Sequence, residues 1–194
     1  MLLCCPGRNC RYIRRREVTA ACPNQQRVLF QRGALHHSES GFTSGALYER
    51  EADLFGVELL IPEFLFQKHR RKFSTGLDGV KRLAELFQTS LTATGIRYAS
   101  LCTEPVAVMV SEGDRILYSV LSKPFASRFG ARAGRQVPVE SVTLRLNSGG
   151  RVVAEERDVV RAKQWFAGAP GELAEEAIAL GRYGKTLTVL SVKE

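Results

Sequence analysis

The spacing of apolar residues changes once along this chain of 194 residues, at Pro105. Before that proline, from residue 46 onward, apolar side chains recur every three or four residues, which is the period of an α-helix. After it they alternate, most clearly over residues 106–120, which is the period of a β-strand. The sequence therefore predicts an α+β protein whose helices precede its strands, rather than one doubly wound sheet.

Four helices are expected in the first part of the chain. The second begins at Pro62, because proline suits the first turn of a helix, and Ser90 is the expected N-cap of the fourth. The third and fourth are separated by only two residues and have the proportions of a helix-turn-helix. The predicted ranges are 46–60, 62–69, 77–87 and 90–101.

Strands and turns are expected beyond Pro105. A hairpin is predicted around the turn at residues 111–114, and Trp165-Phe166 is predicted to anchor the core. A loop rich in glycine and arginine is expected over residues 124–136. The remaining predicted strands are 137–146, 151–154, and a terminal hairpin of 173–180 with 186–192.

Residues 1–27 differ in composition from the rest of the chain. They contain six arginines and one glutamate, which account for +5 of the net charge of +8, and four of the five cysteines. They show no helical or strand period and no C-x-x-C pair, so no metal role is predicted for these cysteines. We expect a disordered tail, or a segment translated from a shifted reading frame. Because the remaining charge is only +3, the basic pI is weak support for a nucleic-acid partner.

No apolar run approaches the roughly 20 residues that span a membrane. The apolar residues at the start of the chain are too few for a signal peptide, and Arg8 and Arg11 follow rather than precede them. The sequence therefore predicts a cytoplasmic protein without a membrane partner.

The stretch from Glu49 to Pro62 reads EREADLFGVELLIP. It resembles the second signature of the ImmA/IrrE zinc metallopeptidases, roughly E-x-E-A-N/D-x-F-A-x-E-L-L-x-P, with Gly56 in place of the usual alanine. Residues 83–97 are similar to the segment that follows in the family, except that Thr89 replaces a usual valine. The tail from Trp165 onward resembles the C-terminal extension of longer members, so the resemblance covers residues 27–194.

The resemblance implies a zincin-like peptidase domain over residues 28–103, in this chain a helical remnant, followed by a β-rich extension over residues 104–194. It implies zinc as cofactor, Glu49 as a metal ligand, and Asp53, one helical turn later, as the residue that orients it. It also implies cleavage of a helix-turn-helix transcriptional repressor, which would be the partner protein. On composition alone, Glu49 and Asp53 would instead be read as part of a solvated helix face.

The chain departs from the family at the His-Glu-x-x-His motif, which supplies two zinc ligands and the general base. That motif should fall on residues 23–27, which read Pro-Asn-Gln-Gln-Arg. His36 and His37 are adjacent in a Gly/Ser-rich segment, so they do not share a helical face, and His69 lies in a basic run. We therefore predict no catalytic residue, no zinc bound by this chain as written, and no peptidase activity.

Three functions stay open on the sequence. The first is the zinc metallo-endopeptidase that the family implies. The second is a catalytically dead protein that still docks a repressor through the apolar faces of its helices. The third is direct DNA binding through residues 77–101, which is weakly supported because the second helix of that pair carries one base, Arg97.

Overall fold

The computed structural model describes residues 55–130, 134–149, 154–181 and 184–192. The chain divides into two compact units, residues 1–55 and residues 56–194, and the description that follows concerns the second unit. Its helices are α1 (Glu63–Arg70), α2 (Leu77–Phe87), α3 (Leu91–Leu101), α4 (Lys123–Phe129), α5 (Val142–Ser148) and α6 (Ala162–Trp165). Its strands are β1 (Val106–Glu112), β2 (Arg115–Leu121), β3 (Glu155–Arg161), β4 (Glu172–Ala179) and β5 (Lys185–Val192).

The structure confirms the helices predicted before Pro105. Pro62 stands immediately before α1 as its N-cap, and Ser90 caps α3 by accepting a hydrogen bond from the backbone N–H of Ala93 at 3.1 Å. The helix α2 ends at Gln88, whose backbone is left-handed with φ at 52°. Residues 55–60 are helical, as expected for the end of the first predicted helix, whose beginning lies outside the described residues.

The strands form one antiparallel sheet with the order β2-β1-β5-β4-β3. Both predicted hairpins are confirmed. The first joins β1 to β2 through Gly113 and Asp114, and the second joins β4 to β5. The chain crosses the sheet only between β2 and β3, so the last strand returns to lie beside the first. The predicted α+β class, with strands concentrated in the C-terminal half, is therefore correct.

One face of the sheet is covered by α2 and α3. Their buried residues pack with those of β1 and β5 in one cluster, which includes Leu77, Val80, Leu83, Tyr98, Val108, Val110, Leu187 and Val189. Gly95 sets how closely α3 lies on the sheet. A Cβ added there would come within 3.2 Å of Val108 and 3.4 Å of Leu187. The missing side chain thus lets the helix backbone rest directly on two strands.

The opposite face is covered by α4, α5 and α6. The predicted core anchor is confirmed, since Trp165 and Phe166 are 2% and 1% exposed. Phe166 packs against Phe125 and Phe129 of α4, with ring centroids 5.1 and 6.0 Å away. These aromatic rings attach α4 and α6 to the sheet through Met109 of β1 and their other neighbours in the same cluster.

Three sequence predictions in the C-terminal half were wrong. The glycine/arginine loop expected over 124–136 contains α4, because Ser122 caps it and Phe125 is drawn into the core. The second half of the strand expected over 137–146 is helical and belongs to α5, because Ser141 caps this helix and burial of Val142 overrides the strand preference of its residues. The strand expected at 151–154 begins instead at Glu155, and residues 151–153 lie outside the described range.

Helices and sheet share their core within residues 56–194. The change from helix to strand lies between Leu101 and Val106, close to the predicted boundary at residues 103 and 104. The three-part division into 1–27, 28–103 and 104–194 stays a prediction, and residues 1–27 lie outside the described residues. In the ranges that the structure describes, no helix is long and apolar enough to cross a membrane.

Candidate functional site

The residues predicted to form the metal site lie outside the described part of the chain. This applies to the ligand Glu49, to Asp53, to His36 and His37, and to residues 23–27 where the family motif should stand. Their assignment stays a prediction. The described residues instead show how the C-terminal end of the signature helix is held, and what other polar groups the unit contains.

His69 is the one histidine within the described ranges. Its ring contacts Phe87 edge to face, with the centroids 6.4 Å apart, so it belongs to the packing between α1 and α2. Among the residues that the structure describes, no group of three or more His, Cys, Asp or Glu side chains is placed to hold a metal ion. A zinc ion needs three protein ligands in a catalytic site, so the described residues do not by themselves fit zinc.

Arg97 of α3 holds the end of the signature segment. Its Nη2 forms an ion pair with Glu58, and its Nε donates a hydrogen bond to the backbone carbonyl of Ile61 at 3.2 Å. Arg97 is 8% exposed, whereas the Glu58 side chain is half exposed. A guanidinium this buried needs such partners, because an unpaired buried charge is costly. The two stretches that resemble family signatures are therefore joined through the pair that we call the Glu58–Arg97 clamp.

The clamp bears on the DNA-binding hypothesis. α3 carries one cationic side chain, Arg97, and that side chain is buried and paired with Glu58. Thr94, Gly95, Tyr98 and Ala99 of the same helix are also buried against the rest of the unit. A recognition helix presents several donors to phosphates and base edges, and α3 offers no free cation for this.

A second buried polar cluster surrounds Arg70 of α1. Its Nη2 lies 2.7 Å from Glu104 and 3.0 Å from the Thr75 hydroxyl, and its guanidinium stands 5.0 Å from the centre of the Tyr98 ring. The Cys102 thiol donates to the same Glu104 carboxylate at 2.8 Å. Burial, reinforced by that hydrogen bond, raises the pKa of the Cys102 thiol. A raised pKa disfavours the thiolate, which is the reactive form of cysteine, and the contacts of this cluster join α1 to the segment that precedes the sheet.

A third polar cluster joins α2 to the edge of the sheet. Arg157 of β3 makes two hydrogen bonds to Asp78, at 2.6 and 2.9 Å, and ion pairs with Glu155 and with Glu176 of β4. Hydrogen bonds from Arg157, and secondarily from Lys81, lower the pKa of Asp78 to about 2. Each charged group in the cluster has an oppositely charged partner within it, so the cluster fixes α2 on β3 and β4.

Residues 26–98 match the family model described as the IrrE N-terminal-like domain, which is a peptidase family. Over this range, which is less than half of the chain, the sequence is similar to the ImmA/IrrE-type metallopeptidases. The matched range includes Glu49, Asp53 and both residues of the clamp, and it ends within α3. No curated protein matches the chain. The resemblance of the C-terminal half to the extension of longer ImmA/IrrE proteins stays a prediction.

Glu58 is a residue whose part in this domain the sequence analysis missed. Glu58 stands in the E-L-L portion of the ImmA/IrrE signature, and Arg97 is the last residue of the similar segment at residues 83–97. Neither position by itself indicates that the two side chains are in contact. The available signal was a charged residue at a defined position in each of two signatures. Two such positions in one domain are good candidates for an ion pair.

Proposed function

We propose that this chain is a non-catalytic member of the ImmA/IrrE family that binds a helix-turn-helix transcriptional repressor without cleaving it. The observation that carries the proposal is the sequence Pro-Asn-Gln-Gln-Arg at residues 23–27, where the family motif would supply two imidazoles and a carboxylate. None of these five side chains can replace a histidine ligand of zinc or the glutamate base.

The histidines elsewhere in the chain do not make up for this loss. The whole sequence contains three, and two of them, His36 and His37, are adjacent. Adjacent residues point in different directions on a helix, whereas the family motif needs two imidazoles one turn apart on one face. The third, His69, packs on Phe87. Glu49 would then be a single carboxylate with no imidazole partners.

Exposed apolar side chains support a role in protein binding. Leu59, Leu60 and Phe64 are 64%, 58% and 72% exposed, and they lie within six residues of one another. Neighbouring exposed apolar groups of this size are typical of surfaces that bind another protein. The Glu58–Arg97 clamp holds the backbone beside them, so the surface is attached to the helical layer rather than free.

An active zinc metallo-endopeptidase is the second candidate. It is favoured by the domain match and by Glu49 and Asp53, which are spaced one helical turn apart. Zinc analysis of the purified full chain by mass spectrometry separates the two proposals. We expect no stoichiometric zinc and no cleavage of purified helix-turn-helix repressors. About one zinc per chain, lost in Glu49→Ala, would overturn the non-catalytic proposal.

Binding is tested with the same repressors immobilised on a biosensor. We expect Leu60→Ser and Phe64→Ser each to weaken the interaction about tenfold, as for residues that dominate an interface. Val139→Ser is the matched control, because Val139 is also apolar and is 84% exposed but lies between α4 and α5. If no repressor binds, or if all three variants bind equally, the proposed surface is wrong.

A further inference from the structure

We propose that the outward side of α1 binds an acidic, amphipathic segment of a partner protein. This side, the α1 face, consists of Phe64, Lys68, Arg71 and Lys72, which are all exposed. The same face would hold a partner whether or not the chain cleaves it. The inference shares Phe64 with the surface proposed above for repressor binding and adds the charge of the partner segment, but it does not depend on the loss of zinc.

Helical geometry puts these side chains together. Phe64, Lys68 and Arg71 are spaced by four and three residues, and Arg71 keeps helical backbone angles, with φ at −64° and ψ at −14°. Residues at this spacing are neighbours on one side of a helix. The other side of α1 is buried through Phe66 and Arg70, which are 0% and 5% exposed. The α1 face therefore points away from the core.

The cations of the α1 face are unmatched, in contrast to the others in the helical layer. Each of those other cations is paired with a carboxylate: Arg70 with Glu104, Lys81 with Glu155, Arg82 with Glu85, and Arg97 with Glu58. Lys68, Arg71 and Lys72 have no carboxylate within ion-pair distance among the described residues. Cations at a helix C-terminus do interact favourably with its dipole, but that does not account for an exposed aromatic ring on the same side.

The positive surface continues beyond the helix. Lys72 lines a cleft of about 510 Å³ together with Phe73, Ser74 and Arg82. The two carboxylates in the cleft already have partners, since Asp78 pairs with Lys81 and Arg157, and Glu85 pairs with Arg82. Lys72 is thus not neutralised from that side, and it extends the unmatched cations of the α1 face to the rim of the cleft.

The occupant is identified by the apolar groups beside the cations. Phe64 is 72% exposed, and Leu59 and Leu60 precede it on the same surface segment. Aliphatic side chains do not stack on nucleic-acid bases, so this mixture favours a protein partner over a polynucleotide. A segment with leucine-like residues on one side and carboxylates beside them would meet both the ring and the cations. This is the common mode in which an amphipathic helix lies on a complementary surface.

The test uses the full chain and a fluorescein-labelled 16-residue peptide of Glu, Ala and Leu, with leucines at helical spacing. Fluorescence anisotropy measures its affinity, and a peptide with Lys in place of Glu is the charge control. We expect Lys68→Gln/Arg71→Gln/Lys72→Gln to bind at least about fivefold more weakly, since exposed ion pairs each contribute a small factor. Phe64→Ser should lower the affinity for the acidic peptide about tenfold. Circular dichroism verifies that each variant keeps its helices.

The matched control is Arg115→Gln/Lys123→Gln/Lys163→Gln, which removes three exposed cations from other elements and changes the net charge equally. We expect it to bind the acidic peptide within twofold of the unmodified chain. Equal losses in the two triple variants would mean a general charge effect and would overturn the proposal, as would equal affinity for the Lys peptide. Tighter binding of a DNA duplex, or of vesicles containing phosphatidylglycerol, through the same residues would assign the α1 face to another partner and also overturn it.

Discussion

Glu175 of β4 is a fully buried carboxylate, and its replacement tests how the second face of the sheet is held together. One carboxylate oxygen accepts hydrogen bonds from the Thr143 backbone N–H at 2.9 Å and the Thr143 hydroxyl at 2.7 Å. The other accepts from Trp165 Nε1 at 3.1 Å. Because the single hydroxyl proton of Thr143 goes to Glu175, Thr188 must donate in the 2.7 Å contact between the two threonines. Glu175 thus joins α5 and α6 to β4.

Glu175→Gln keeps the shape of the side chain but replaces one acceptor oxygen with an amide NH₂. If the amide oxygen stays with Thr143, the NH₂ group faces the N–H of Trp165, and two buried donors lose their acceptor. That costs about 1–3 kcal/mol, and the weaker neutral bonds to Thr143 add about 1 kcal/mol. Burial of a neutral amide costs less free energy than burial of a carboxylate, and this difference offsets part of the destabilisation. We expect a net destabilisation of roughly 2 kcal/mol.

Urea unfolding is the appropriate assay, because Trp165 is the only tryptophan in the chain and its fluorescence reports this site. For a unit of this size the slope is about 2 kcal/mol/M, so the midpoint should fall by about 1 M. Glu175→Leu removes the acceptor of all three donors, so its urea midpoint should be lower than that of Glu175→Gln. Glu172 is on the same strand but is exposed, so Glu172→Gln should change the free energy of unfolding by no more than about 0.5 kcal/mol. A midpoint for Glu175→Gln equal to or above that of the unmodified chain would refute the reasoning and show that desolvation of the carboxylate dominates.

Two further stability predictions concern the connection between α2 and the sheet. Gly76 has φ at 112°, and a Cβ there would collide with the Glu176 carboxylate that accepts a hydrogen bond from the Leu77 N–H at 2.7 Å. Gly76→Ala should therefore lower the free energy of unfolding by about 1–3 kcal/mol more than Gly113→Ala, because Gly113 also has positive φ but has open space around it. Equal urea midpoints for the two variants would contradict this. Because hydrogen bonds from Arg157 lower the pKa of Asp78 to about 2, its stabilisation is full above the unfolded pKa near 4 and is lost as the pH falls toward 2. Since the Asp78 side chain is 46% exposed, Asp78→Asn should lower the free energy of unfolding by no more than about 1 kcal/mol at pH 6. At pH 2, where about half of the folded molecules carry a protonated Asp78, the loss should be much smaller, and an equal loss at both pH values would argue against the ion pairs.

Prediction from the sequence succeeded where the signals were local. The Ser90 cap, the helical spacing of α2 and α3, and the alternation around Gly113 all act within a few residues, and each was confirmed. It failed at α5, where valine, threonine and leucine favour a strand on their own. The backbone N–H of Thr143 in the first turn of α5 is capped by Glu175, a residue 32 positions later, and no local pattern contains that contact.

For the candidate site, too, local signals could be read from the sequence, whereas contacts between distant residues could not. The order of residues alone indicates similarity to the ImmA/IrrE-type domain, because a motif is a matter of residue type and spacing. The loss of the histidine pair stays a prediction from the same kind of signal. The sequence also determines helices α1 to α3 and the two hairpins through local caps, turns and hydrophobic period. Tertiary structure decided that Arg97 is an internal partner of Glu58 rather than a surface base. It also left Lys68, Arg71 and Lys72 without an ion-pair partner in the part of the chain that the structure describes. Those outcomes depend on which side of a helix meets the core and on carboxylates distant along the chain, and only packing brings such groups together.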